Sequence, residues 1–80
     1  MNIKLLLFGI TTDLVGTSNL EIAVAEASTI SNFKSLLKKT YPQLKKIDFY
    51  AIAVNEAYAT NDLVLKENDV VAVIPPVSGG

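Results

Sequence analysis

The sequence predicts an α+β fold, in which a mixed β-sheet carries one main helix across one face. Apolar runs lie at both ends of the chain, at residues 3–10 and 70–74, and each is typical of a strand covered on both faces. A single central stretch repeats its apolar residues with helical spacing. Two such terminal runs indicate that the first and last strands lie together at the centre of the sheet.

Size and composition restrict the class of protein. The chain has 80 residues, half of them hydrophobic, which is enough for one domain with a modest core. It contains no cysteine and no histidine, which excludes disulfides, thiolate metal sites and a cysteine nucleophile. Metal and triad chemistry therefore lose their usual ligands.

The charge balance and the apolar runs also bear on partners and location. Seven lysines, eight acidic residues and no arginine give a net charge of −1, without the basic surface that binds phosphate backbones. We therefore expect no nucleic-acid partner. The N-terminal apolar run meets Thr11-Thr12-Asp13 without a cleavage site, and no stretch is long enough to span a membrane. A cytoplasmic protein with no membrane partner is predicted.

An N-terminal hairpin is predicted after the first strand. Residues 13–19 have the composition of a turn, and Leu20, Ile22 and Val24 then alternate with Glu21 and Ala23 as in a half-buried strand.

The helical stretch is predicted to run over residues 29–41. Ser28 or Thr29 can cap it, and Pro42 ends it. Lys38 and Lys39 fall in its last turn, where positive charge complements the helix dipole. Its inward stripe consists of Ile30, Phe33 and Leu37, extended by Leu36 and Tyr41.

Two short strands and a tight turn are predicted before the last strand. Tyr50, Ile52 and Val54 alternate as a strand, Asn55-Glu56 suits a two-residue turn, and residues 57–59 form a return strand. Asn68 stands where a turn requires a positive φ.

Glu67 and Asp69 are interpreted as ordinary surface charge. The predicted core contains Leu5, Leu7, Ile22, Phe33, Leu37, Ile52 and Val73.

The chain ends in Pro75-Pro76-Val77-Ser78-Gly79-Gly80. Each proline fixes its own φ and extends the residue before it, so Ile74 should close the last strand and the prolines should direct the tail away from the sheet. Gly79 and Gly80 have no Cβ, so the terminal carboxylate can enter a channel too narrow for a substituted residue. We predict a domain over residues 1–76 and a flexible tail over residues 77–80.

This tail resembles the C-terminus of the small, sulfur-carrying subunits of molybdopterin synthase, which are ubiquitin-like β-grasp proteins. Phe8-Gly9, Ala53-Val54-Asn55 and residues 65–71 also resemble stretches of that family. Two positions depart from it, because Thr12-Asp13 stands where Arg-Glu is common and Asn68 stands where glycine is usual.

The resemblance implies a β-grasp fold and a sulfur carrier in molybdenum cofactor biosynthesis. In such a protein an adenylating enzyme of the ubiquitin-activating type uses ATP and Mg²⁺ to adenylate Gly80, and a sulfurtransferase converts it to a thiocarboxylate. Residues 75–79, from Pro75 to Gly79, then thread into the large subunit, in a heterotetramer, where the sulfur passes to the cyclic pyranopterin phosphate precursor. The chain itself would bind no cofactor and no metal and would not be catalytic alone.

Three other functions stay open at this point. A sulfur carrier for thiamine biosynthesis would share the fold and the two glycines, although the Pro-Pro-Val-Ser sequence resembles the molybdopterin branch more closely. A ubiquitin-like protein modifier would attach Gly80 to lysines of other proteins. A plain interaction domain would need no tail.

Overall fold

The computed structural model describes residues 1–47 and 50–75. In this part of the chain the elements are β1 (Asn2–Leu7), α1 (Ile10–Val15), β2 (Asn19–Ala23), α2 (Ile30–Thr40), a 3₁₀ helix (Pro42–Lys46), β3 (Ala51–Val54), β4 (Ala57–Tyr58) and β5 (Val70–Ile74). Residues 48–49 and 76–80 lie outside the described residues. The predicted domain boundary after residue 76 therefore stays a prediction.

The five strands form one mixed sheet with the order β2-β1-β5-β3-β4. β5 is the central strand, and it pairs in parallel with β1 and antiparallel with β3. Leu5 lies opposite Val71, and Leu7 lies opposite Val73. The predicted pairing of the two terminal strands at the centre of the sheet is confirmed, and so is the α+β class.

The core lies on one face of this sheet only. Along β1, the side chains of Ile3, Leu5 and Leu7 are buried, whereas Lys4 is exposed and Leu6 is half-buried. β5 shows the same alternation. The prediction that both terminal strands are covered on both faces is therefore wrong. The physical reason is that the long helix α2 packs into a single core cluster, and no second layer lies over the other face among the described residues.

Helix α2 begins and ends close to the predicted bounds of residues 29–41. Thr29 is its N-cap, and its hydroxyl accepts the N–H of Asn32 at 3.2 Å while the Asn32 side chain accepts the N–H of Thr29 at 3.0 Å. This reciprocal pair is a capping box. Tyr41 caps the C-terminal end, and Pro42 starts the 3₁₀ helix. The predicted stripe is buried at three positions, Ile30, Phe33 and Leu37.

The first strand is shorter than predicted, and a short helix replaces part of the predicted turn. β1 ends at Leu7 because Gly9 adopts φ 56° and ψ −136°, which breaks the extended backbone. Helix α1 follows and ends at Gly16, whose φ is 97°. The predicted turn over residues 13–19 is therefore too long. Helix α1 occupies residues 13–15 and β2 begins at Asn19, so the turn itself covers residues 16–18.

The two tight turns agree with their predictions. Asn55 and Glu56 have φ values of 50° and 73° and connect β3 to β4 as a two-residue hairpin turn. Asn68 has φ 67°, the left-handed conformation that asparagine tolerates. Of the predicted core, Ile22 alone is only half-buried, because it lies on the edge strand β2.

Candidate functional site at the root of the tail

The candidate site is the point where the chain leaves the sheet. Ile74 is the last residue of β5 and pairs with Ala51 of β3, so the chain leaves from the central strand. We call Ile74 and Pro75 the tail root, and both are half-buried. The other predicted site residues, Pro76, Val77, Ser78, Gly79 and Gly80, lie outside the described residues, and their roles stay predictions.

The backbone of Gly9 lies directly against the tail root. A Cβ at Gly9 would stand 3.1 Å from Cγ of Pro75, closer than ordinary van der Waals contact. The absence of a side chain at Gly9, together with its positive φ, allows the turn after β1 to approach the proline ring. Turn and ring therefore meet with no room for a larger residue.

Two threonines fix the shape of this turn. The hydroxyl of Thr11 donates to the carbonyl of Phe8, and the hydroxyl oxygen of Thr11 accepts the N–H of Phe8 at 3.0 Å. The hydroxyl of Thr12 donates to the carbonyl of Leu7 at 2.9 Å. Thr11 is completely buried. Both threonine side chains thus bond the backbone of their own turn.

The sheet face opposite α2 is uncovered among the described residues. It is polar on the side of β2, where Lys4 pairs with Glu21, and mainly apolar on the side of β5, β3 and β4. The apolar part holds a shallow groove of about 290 Å³, and we call this part the open face. Phe8 and Tyr58 project from it with exposed fractions of 48% and 76%. Because Ile74 also lines the groove, the open face reaches the tail root. The lining residues are Leu6, Phe8, Ala53, Glu56, Tyr58, Val70, Ala72 and Ile74.

Two acidic side chains form hydrogen bonds with the backbone. Glu67 accepts the N–H of Asn2 at 2.7 Å, and Asp69 accepts the N–H of Lys66 at 2.8 Å. Both carboxylates thus bond backbone N–H groups, and their interpretation as ordinary surface charge stays a prediction. The hydroxyl of Thr60 beside Asp62 lowers the pKa of that carboxyl, which is fully exposed.

Tyr50 is a buried polar side chain close to the tail root. It immediately precedes β3, whose first residue pairs with Ile74. Burial raises the pKa of the Tyr50 phenol, and its hydroxyl has no hydrogen-bond partner within residues 1–47 and 50–75. The phenol is therefore neutral at ordinary pH.

Within the described ranges, no group of three or more histidine, cysteine, aspartate or glutamate side chains is arranged to hold a metal ion. A separate observation concerns membranes: no helix in the described part of the chain is both long and apolar enough to cross one. The predicted cytoplasmic location stays a prediction.

The open face is a candidate interaction surface that the sequence does not predict. The consecutive apolar residues of β1 and β5 predict two strands that are covered on both faces. The number of predicted helices argues against coverage of both faces, because a single long amphipathic helix can cover one face only. An apolar patch on the second face then has no helix to cover it among residues 1–47 and 50–75.

With this fold and this exposed face, the molecule has the architecture of the ubiquitin-like β-grasp proteins. SAMP1 from Haloferax volcanii has the same fold, with a TM-score of 0.87, 21% identity and full coverage of both chains. The chain belongs to the ThiS family, whose model matches residues 5–80.

The similarity to several relatives extends over nearly the whole chain. It is 37% identical over 81 residues to a molybdopterin synthase sulfur carrier subunit from Dictyostelium discoideum, covering 96% of this chain and 94% of that protein. A protein of the same name from Arabidopsis thaliana is 32% identical over 81 residues, covering 100% and 84%. A protein–protein complex of subunits 1 and 2 of molybdopterin-converting factor from Helicobacter pylori contains a similar chain, with a TM-score of 0.71, 26% identity and full coverage of both.

Proposed function

We propose that this chain is the sulfur carrier subunit of a molybdopterin synthase and that Gly80 carries the sulfur. The observation that carries the proposal is the likeness, over nearly the whole chain, to relatives named as sulfur carrier subunits. The tail Pro-Pro-Val-Ser-Gly-Gly supports it, because it continues from the central strand and ends in two residues without side chains.

The chemistry of the tail requires a partner that activates it. A free carboxylate is a poor electrophile because its leaving group would be oxide. An adenylating enzyme that uses ATP and Mg²⁺ converts the Gly80 carboxylate to an acyl-adenylate and releases pyrophosphate. A sulfurtransferase supplies sulfur at the sulfide oxidation level, which attacks the acyl carbon and displaces AMP, so that Gly80 then carries a thiocarboxylate. The chain itself contributes the carboxyl group and no cofactor.

The second partner is the large subunit, which receives the loaded tail. Pro75 and Pro76 direct the tail, Val77 and Ser78 continue it, and Gly79 passes the narrowest part of a channel. The thiocarboxylate of Gly80 then donates its sulfur to the cyclic pyranopterin phosphate precursor, inside a heterotetramer of two small and two large subunits. Catalytic side chains belong to the large subunit in this arrangement.

The open face is the surface that the large subunit covers in this proposal. Phe8 and Tyr58 are large apolar side chains with much of their area in water, and contiguous exposed apolar surface marks protein interfaces. The groove is continuous with the tail root through Ile74. A partner seated on the open face would therefore hold the tail in its own channel.

Removal of Gly80, or substitution of Gly79 by valine, tests the function of the tail. We expect thiocarboxylate formation with the cognate activating enzyme, and molybdopterin production with the large subunit, to fall below detection for the deletion. Gly79→Val should lower transfer because a Cβ widens the chain where the channel is narrow. The unfolding midpoint should stay unchanged, because the core lies within residues 1–75. Mass spectrometry measures the loading.

Ser31→Ala serves as the control, because Ser31 is an exposed residue of α2 outside the tail, and this variant should transfer sulfur at the wild-type rate. Wild-type transfer by the chain that lacks Gly80 would contradict the proposal. The mass of the protein from its native cell also distinguishes the alternatives. A thiocarboxylate supports a sulfur carrier, whereas an isopeptide conjugate identifies a protein modifier. Transfer to the thiamine precursor instead of the pyranopterin would assign the other sulfur pathway.

A further inference from the structure

Ile10, the first residue of α1, is a strongly exposed apolar side chain. Among the described residues, Phe8 and Tyr58 line the open face, and Leu63 and Val64 line a second groove beside β4 that also includes Tyr58. Ile10, with an exposed fraction of 54%, lines neither. The exposed set is Phe8, Ile10, Tyr58, Leu63 and Val64.

The position of Ile10 in the fold is next to the tail root. Phe8 and Ile10 are the chain neighbours of Gly9, and the Cβ position of Gly9 lies 3.1 Å from Cγ of Pro75. The tail root therefore sits against a turn that has an exposed apolar side chain on each side of its glycine. We call Phe8 and Ile10 the collar.

The length of the tail limits the distance between the collar and any protein that holds the tail. Five residues follow Pro75, and a fully extended chain of five residues reaches about 17 Å. A channel that surrounds these residues and buries the terminal carboxyl must therefore open close to the tail root. Its rim then faces the turn that carries Ile10.

We infer that Ile10, together with Phe8, packs against the rim of the channel in the large subunit and closes the interface around the tail. This inference rests on the proposed function. It extends the interface from the open face, to which Phe8 belongs, onto the first residue of α1. The rim of the partner must be apolar where it meets Ile10, because an aliphatic side chain offers no polar group for recognition.

Titration of the purified large subunit from the same organism with three full-length variants tests this inference. Ile10→Ser should weaken binding about five- to tenfold, the range expected when one well-buried apolar contact at an interface is lost. Tyr58→Ser should also weaken binding, because Tyr58 lies on the open face. Val64→Ser is the matched control, since Val64 is exposed to 48% and lies in the other groove. It should bind with wild-type affinity.

The outcomes separate the inference from the function on which it rests. If Tyr58→Ser weakens binding and Ile10→Ser does not, the collar is overturned and the proposed function stands. Equal weakening by Ile10→Ser and Val64→Ser would also overturn the collar, because the effect would not depend on position. If the wild-type chain does not bind the large subunit, the proposed function itself fails.

Hydrogen exchange gives a second measurement that needs no substitution. The backbone amides of residues 9–12 should exchange more slowly in the complex with the large subunit than in the free chain. Amides of residues 61–64, beside the control position, should exchange at the same rate in both. Unchanged exchange at residues 9–12 in a complex that has formed would overturn the inference.

Discussion

At the scale of single residues, the contact between Gly9 and Pro75 connects the fold to the proposed function. Gly9 combines a positive φ with a position where a Cβ would press on the proline ring. The two residues lie far apart in the sequence but next to each other at the tail root. We therefore expect a substitution at Gly9 to shift Pro75 and with it the start of the tail.

Gly9→Val should slow sulfur transfer more than its loss of stability explains. The valine must adopt a positive φ, which costs about 1–3 kcal/mol, and its side chain must displace Pro75. Gly16→Val is the matched control, because Gly16 also has a positive φ, 97°, but has no atom within 4 Å of its Cβ position. We expect both variants to lose stability and only Gly9→Val to lose transfer rate. The measurements are denaturant unfolding and single-turnover molybdopterin formation.

The same comparison can contradict the role of Gly9. If Gly16→Val slows transfer as much as Gly9→Val at a temperature where both are folded, the contact with Pro75 has no role in placing the tail.

At the scale of elements, the sequence predicted what local signals determine. Thr29 and Pro42 mark the two ends of α2, and Asn55 and Asn68 mark the turns, because each of these residues suits the backbone conformation at its position. α1 was missed because its turn depends on hydroxyl bonds from Thr11 and Thr12 to the end of β1. Such bonds leave no periodic pattern in the sequence.

The candidate site was predictable only in part, for a related reason. The tail is a linear motif, and its residues could be named from the sequence. The packing of Gly9 on Pro75 and the exposure of Ile10 are consequences of how distant strands pair, and no local signal contains them.

Thr29→Ala should lower the free energy of unfolding by about 1 kcal/mol, the usual effect of losing an N-cap side chain. The substitution removes the oxygen that accepts the N–H of Asn32 at the start of α2. Ser31→Ala is the control, because Ser31 is an exposed residue in the first turn of the same helix. It should leave stability unchanged or slightly increased, since alanine favours helix. Equal effects of the two variants, measured by urea denaturation, would show that the cap does not stabilise the helix.

At the scale of the whole molecule, one long helix and five strands leave the sheet with two unlike faces. On the core face, side chains such as Leu5 of β1 and Val73 of β5 are completely buried, together with Phe33 of α2, which packs on this face. The open face is also apolar, and nothing among the described residues covers it. A face of this kind does not contribute a core to the isolated chain, so its apolar residues serve a partner in the proposed function.

Leu5→Ala and Leu6→Ala test this difference with the same substitution at neighbouring positions of β1. Leu5 is completely buried, so its truncation should lower the free energy of unfolding by about 2–5 kcal/mol. Leu6 is half-buried and lines the open face, so its truncation should cost clearly less stability in the free chain. Binding to the large subunit should show the reverse order at a temperature where both variants are folded, because only Leu6 loses a contact with the partner. If Leu6→Ala destabilises the free chain as strongly as Leu5→Ala, a part of this protein already covers the open face, and the partner must dock elsewhere.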